Sequence, residues 1–331
     1  MCFLNHKHTT VRLNPKMVLC GLIILIFCTG WGFFGHRQIN SHAVFLLPPE
    51  VSGFYKHHKE YIRESAVNPD RRRYAVKGEA ARHYIDLDRY EGKYLPETWE
   101  EAVSCYGADS LDAHGVLPWS LMRTYGSLRN AFIARDSERI LKVSADLGHY
   151  VGDAHVPLHT TSNYDGQQTG QHGLHGFWES RLPELYFGDY DFLIGRAEYV
   201  EDPRGRIWLL IRQSHTMVDS VLGFERKLYE AMGEVKFGFE SRSGVTVKAV
   251  TPEYSRKYHT MLSGMVERQM RRSIKCVADL WYTAWVDAGQ PDMDSLKRME
   301  VSEEVLNARR NDLKAWREKN FKVREHETEG F

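Results

Sequence analysis

The sequence predicts an all-α protein, a single mainly helical domain with one small β-hairpin. Three observations carry that reading. Apolar residues recur every three to four positions through Tyr258, Leu262, Val266, Met270, Ile274, Val277, Trp281 and Ala284, which marks one buried face of a long helix. The same period runs through Ala43–Ala66, Leu117–Ala134, Glu138–Asp153 and Ile207–Met232. The one plausible hairpin is Phe237–Val250, where Ser243-Gly244 separates two β-prone runs.

The last helix is the best delimited. Thr251-Pro252-Glu253 supplies a capping side chain and a proline in the first turn, and Gly289 and Pro291 end it. After Asp292 the chain is rich in charge and poor in apolar residues, so residues 292–331 read as a solvated helix or tail. Between Trp31 and Pro291 there is no repeat, no low-complexity segment and no second-domain boundary. Residues 31–291 are therefore expected to form one domain.

Composition limits the function classes. The 331 residues are 42% hydrophobic and 27% charged, with Lys+Arg and Asp+Glu balanced at 44 each. No basic field invites a nucleic-acid duplex, although an enzyme cutting single strands is not excluded. Residues 1–30 carry Lys7, Arg12 and Lys16 and no acid, then an apolar run from Met17 to Phe27, then Cys28-Thr29-Gly30. A basic leader, a short apolar run and small residues before the cut are the marks of a secretory signal peptide. Cleavage after Gly30 leaves Trp31 as the first residue of an exported protein, periplasmic or secreted. Only Cys105 and Cys276 of the five cysteines survive that cut. They permit one disulfide in an oxidising compartment, or simple burial.

Three histidine-acid groups carry chemistry. His149 and Asp153, four apart in Leu147-Gly-His149-Tyr-Val-Gly-Asp153, share one helix face and can reach one metal ion. His159 follows Pro157, which disturbs the helix, so it need not bind the same ion. His175 and Glu179 are again four apart, and His83-Tyr-Ile-Asp86 is preceded by Asp70. A lone His-x-x-x-Asp pair is more often a surface or buried polar contact. Imidazole and carboxylate in this number suit zinc and exceed what one structural ion requires.

With these groups, Trp31-Gly-Phe-Phe-Gly-His36 resembles the mature start of the zinc-dependent phospholipase C and single-strand-specific zinc nuclease superfamily. The resemblance spans Trp31 to about Glu179. It implies a helical domain of that type holding three zinc ions. Asp70, His83, His149 and Asp153 would hold the first. Trp31, through its terminal amine and its own carbonyl, and His36 would hold the second, with Asp153 bridging. His159, His175 and Glu179 would hold the third. A terminal amine chelates at low cost near neutral pH because its reference pKa is about 8. Asp86 matches the nuclease residue that orients or deprotonates the attacking water, and it reads equally as an acceptor for a ligand histidine. Asp86 and Asp153 are thus the catalytic candidates.

The substrate signals conflict. Glu179 and the modest His159–His175 separation resemble the phospholipases. Trp31 and His36 only five apart, and His83-x-x-Asp86, resemble the nucleases. The expected substrate is a phospholipid, with transient membrane-surface contact, or a single-stranded nucleic acid or nucleotide; no protein partner is expected. Phe33-Phe34 and Leu185-Tyr186-Phe187 could meet a membrane or equally be core. A secreted zinc-binding protein without catalysis is the reading from another class.

Overall fold

The computed structural model describes residues 33–297 apart from 243, with scattered residues between 302 and 318. Among the described residues the chain is helical, with one two-stranded antiparallel sheet. The all-α class with a small hairpin is therefore what the chain adopts. The signal segment, Trp31 and most of the charged tail lie outside the described residues.

Helices α1 (Phe33–Leu46), α2 (Pro49–His57) and α3 (Lys59–Ser65) replace the single helix expected over Ala43–Ala66. Pro48 and Pro49 explain the first break: neither has an N–H to donate, and Pro49 takes the first position of α2 instead. Short α4 (Asn68–Arg72) follows, then α5 (Trp99–Tyr106) and α6 (Ala108–His114). The next two helices, α7 (Leu117–Ile133) and α8 (Ser137–Ala154), match their expected spans within a residue at each end. The Asp136 carboxylate caps α8 by accepting the Arg139 N–H at 3.0 Å.

Three residues of α9 (Leu174–Gly176) run into a π-helical turn, Phe177–Arg181, and on into α10 (Leu182–Tyr186). The helix expected over Ile207–Met232 is two, α11 (Pro203–His215) and α12 (Val218–Met232). It starts early because Asp202 caps the Gly205 N–H and Pro203 fills the first turn. It breaks at Thr216, whose hydroxyl donates to the Gln213 carbonyl at 2.7 Å. The hairpin pairs β1 (Phe237–Arg242) with β2 (Val245–Val250) in the register Phe237↔Val250 to Arg242↔Val245.

The final expected helix is also divided, into α13 (Pro252–Met261) and α14 (Met265–Asp287). Ser263 and Gly264 take left-handed backbone at φ 49° and 72°, which ends the first and redirects the second. Its apolar face nevertheless stays buried across the break, from Tyr258 through Leu262 and Val266 to Trp281 and Ala284. Trp178, Trp281 and Trp285 are core side chains. Met293 and Leu296 are buried too, so the chain just after Asp292 packs against the body. Cys105 on α5 and Cys276 on α14 are both free, the first exposed and the second buried.

Helix α8 is the element around which the rest is arranged. It packs on α1, α3, α7 and α14, and every residue from Leu147 to Ala154 is buried. Mid-helix glycine costs about 1 kcal/mol against alanine, yet α8 has two where α1 crosses it. A Cβ at Gly148 would lie 2.0 Å from Asn40 Oδ1, and one at Gly152 would lie 2.8 Å from His36 Nδ1. These glycines, each one residue before a candidate ligand, let His36 reach His149 and Asp153.

Candidate metal centre

Six stretches of chain deliver the candidate ligands. His36 comes from the first turn of α1 and Asp70 from α4. His83 ends the 3-10 turn Ala80–His83, while His149 and Asp153 lie on the last turns of α8. His159 sits in the 3-10 turn Pro157–Thr160, and His175 and Glu179 span the junction of α9 with the π turn. The eight meet. Among the described residues, donor atoms fall within 4.8 Å of one another in four groups. These are His36/Asp70/His149, His83/His149/Asp153, His36/Asp153/Glu179 and His159/His175/Glu179.

Of the expected sets, His159, His175 and Glu179 form one group, whereas the first is divided between two, with Asp70 grouped beside His36 and His149. His83, His149 and Asp153 close up, with His83 Nδ1 3.0 Å from both Asp153 Oδ2 and His149 Nε2. Asp70 Oδ1 is 3.7 Å from each of those two rings. His175 Nε2 and His159 Nε2 lie 2.6 and 3.3 Å from Glu179 Oε2. Glu179 also turns its other oxygen toward His36 Nε2 at 3.3 Å, beside Asp153 Oδ1 at 3.4 Å. It therefore links two groups, as Asp153 does, and His36 joins Asp70 and His149 as well. Trp31, the remaining expected ligand, lies outside the described residues.

The ring nitrogens are oriented for coordination. Where Nδ1–H is donated to a backbone carbonyl, the lone pair is left on Nε2. His149 Nδ1 bonds the Ala66 carbonyl at 2.8 Å, His159 Nδ1 the His83 carbonyl at 2.5 Å, and His175 Nδ1 the Tyr164 carbonyl at 3.1 Å. All three Nε2 atoms consequently present lone pairs to the centre. Asp165 fixes the last segment by accepting the Gly173 and His175 N–H groups. His83 and His149, facing each other at 3.0 Å over shared carboxylates, can hydrogen-bond through a single ring proton. As a donor set for cations they also fit.

Burial sets the electrostatics. It pushes His83 and His149 well below the ordinary histidine value, with Arg73 adding to the effect at His83 and His36 at His149. It brings His159 down to about 4 despite the opposing Glu179. These rings are neutral at neutral pH, as ligation requires. Burial pushes Asp153 well up, with Asp70 and Glu179 adding repulsion, and raises Asp70 as well. Burial pushes Glu179 up, but the His159, His175 and His36 rings facing it, whose protonated forms it would stabilise, hold it well below its ordinary value. The Arg73 guanidinium stands 3.7 Å from Asp70 and places a fixed positive charge beside that carboxylate.

Asp86 is placed differently from the ligands. It is buried, its N–H donates to the His114 carbonyl at 2.8 Å, and its carboxylate faces His114 Nδ1 at 3.7 Å. It belongs to none of the four donor groups. The strand of chain that carries it is tied to the centre, because the Ile85 N–H donates to the His159 carbonyl at 2.9 Å. His42 bonds the Gln38 carbonyl and lies against Phe187 and Phe192, away from the donor groups. Phe34 meets Phe187 edge-on at 5.4 Å and Phe33 is buried, so these two aromatic segments pack on each other or the core.

Sequence reasoning missed Glu79, Arg72, Asp146 and Tyr150. They form a buried polar network behind His83 and His149: Arg72 pairs with Asp146 at 3.0 Å and Glu79 at 3.4 Å, and the Tyr150 hydroxyl donates to Glu79. The available signal was Glu79 four residues before His83, the same interval as His149–Asp153 and His175–Glu179.

His155 lies off the ligand pattern and yields a separate expectation. Burial brings its pKa down to about 4, although its Nδ1 donates to the Val151 carbonyl at 2.7 Å. A depressed histidine leaves the folded state short of protons below the unfolded value of 6.5, so stability falls from there down to the folded pKa. At about 1.4 kcal/mol per pH unit, His155 should account for about 3 kcal/mol of lost stability between those limits. Denaturant titrations from pH 7 to 4 should show a correspondingly shallower acid limb in His155→Gln. An unchanged limb would contradict that burial. Comparison with protein-family models and with curated proteins finds no match for the chain.

Proposed function

We propose that the chain is an exported zinc-dependent hydrolase of phosphate esters, acting as a phospholipase C-like phosphodiesterase. The observation that supports it most is the convergence of five imidazoles and three carboxylates from across the chain into linked donor groups. A single structural ion needs about four ligands. Eight, joined through Asp153 and Glu179, suit several ions side by side, and Trp31 is proposed as the ninth, completing the set beside His36.

Zinc in such a donor set supplies hydroxide near neutral pH and positive charge for phosphoryl oxygens. The protein's own part is to hold and tune. His149, His159 and His175 are fixed by backbone acceptors. Asp153 and Glu179 join adjacent groups, and Arg73 adds a fixed positive charge beside Asp70. Asp86 is proposed to orient the attacking water or take its proton as the P–O ester bond breaks and the leaving oxygen departs.

A nuclease or nucleotidase of single strands is the second reading, favoured by Asp86 being buried at the His83 turn. The test is turnover of phosphatidylcholine vesicles and of single-stranded DNA by one zinc-analysed sample cleaved before Trp31. Diacylglycerol release with little cutting of DNA is the expected result. The reverse preference would establish the nuclease reading. Three bound zinc ions without turnover of either would leave a binding protein.

A further inference from the structure

We propose that Glu79 is a positioning residue that fixes which nitrogen of His83 faces the centre. His83 differs from the three rings set by backbone carbonyls. It turns Nδ1 toward Asp153 and His149, each at 3.0 Å, and its buried Nε2 has no hydrogen-bond partner. The carboxylate oxygen facing that nitrogen is Glu79 Oε1, 4.0 Å away. An imidazole that ligates through Nδ1 must carry its proton on Nε2, and a proton there needs an acceptor. Glu79 is the acceptor on hand, beyond hydrogen-bond range at 4.0 Å, so the His83 ring must move toward it to close the bond.

Glu79 is itself held in place. It is almost fully buried, Oε1 accepts from Arg72 at 3.4 Å and from the Tyr150 hydroxyl, and Oε2 accepts from Arg82 at 3.1 Å. Arg72 is anchored in turn by Asp146 at 3.0 Å. The carboxylate cannot rotate away without breaking those bonds. Three donors around it compensate the cost of burying its charge. The intervening segment, Ala80–His83, is a single 3-10 turn, so Glu79 and His83 are joined by a short stiff link. A carboxylate behind a ligand histidine fixes its tautomer and raises its basicity, and removing such a partner typically lowers metal affinity ~10–100-fold.

The role of Glu79 rests on the metal-centre reading, because without a cation His83 Nδ1 can keep its proton and donate it to Asp153 Oδ2 or His149 Nε2. Glu79→Gln keeps the shape but turns one acceptor into a donor, which can no longer serve Arg72, Arg82, Tyr150 and His83 together. Ring nitrogen NMR shifts of the zinc-loaded protein should assign ligation of His83 to Nδ1 and its proton to Nε2 in the wild type. In Glu79→Gln that preference should be lost, while His159 and His175, held by backbone carbonyls, keep theirs. In zinc competition titrations the variant should bind ~10–100-fold more weakly at the ion held by His83. Circular dichroism matching the wild type keeps the comparison one of position rather than folding. Should Glu79→Gln misfold, Arg82→Gln, which loosens Glu79 from the half-exposed side, should show a smaller shift of the same sign. An unchanged tautomer in a folded Glu79→Gln overturns the role of Glu79. A wild type that binds no zinc overturns the metal-centre reading, whereas a folded Glu79→Gln that binds zinc as tightly as the wild type overturns the role of Glu79 alone.

Discussion

Replacing His149 with alanine is expected to abolish zinc binding at the group it shares with His83 and Asp153, and almost all phosphoester hydrolysis. His149 is completely buried, and its Nε2 belongs to two of the four donor groups, with His36 and Asp70 and with His83 and Asp153. Loss of an outer partner alone costs ~10–100-fold in affinity, so loss of a shared ligand should exceed ~100-fold. The helix should survive, because alanine has the highest helix propensity and the neighbouring Leu147, Tyr150 and Val151 remain in the core. Zinc analysis after dialysis, with turnover of a generic phosphodiester, provides the check. A variant with full activity would remove His149 from the centre and with it the proposed chemistry.

The parts of this site that the sequence made legible are those governed by one helix. His149–Asp153 and His175–Glu179 were readable because a four-residue interval brings side chains together whatever surrounds them. The second pair holds even though a π turn interrupts the helix, since the Nε2–Oε2 distance is 2.6 Å. The buried face from Tyr258 to Ala284 was readable for the same reason, while its break was not. Ser263 takes a left-handed backbone that no local rule assigns to serine, and Gly264 looked like an ordinary helical glycine. Meetings between distant segments were beyond spacing arguments. Glu179 turning to His36, and Glu79 lying behind His83, depend on how α1 and the 80–83 turn dock on α8. That docking rests on Gly148 and Gly152, whose role appears only when Asn40 and His36 are seen against them. Most of the 292–331 segment and Trp31 fall outside the described residues, so their expected roles stand as sequence expectations and proposals.

Asp153→Asn should separate the two demands that the centre makes on the fold. Stripped of cations by a chelator, the wild type must bury the carboxylates of Asp70, Asp153 and Glu179 together, with rings whose lone pairs face inward. Burial and mutual repulsion raise Asp153 far above its ordinary value, so its charged form is costly at neutral pH. The sign follows from linkage: a raised carboxylate stabilises the fold below its unfolded pKa of 3.8, and that contribution is lost as pH rises through the folded value. Asparagine carries no such charge. The metal-free variant is therefore expected to be more stable than the metal-free wild type at pH 7, and the gap should close on acidification toward pH 4. Zinc should reverse the order. A ligand at 1,000 times its dissociation constant stabilises the fold by about 4 kcal/mol per site, and the variant loses one oxygen of a carboxylate that serves two donor groups. Thermal unfolding with chelator and with zinc, at pH 7 and pH 4.5, gives all the comparisons needed. If zinc leaves the wild-type melting temperature unchanged, the carboxylates are structural, and the strained arrangement around Asp153 serves no cation.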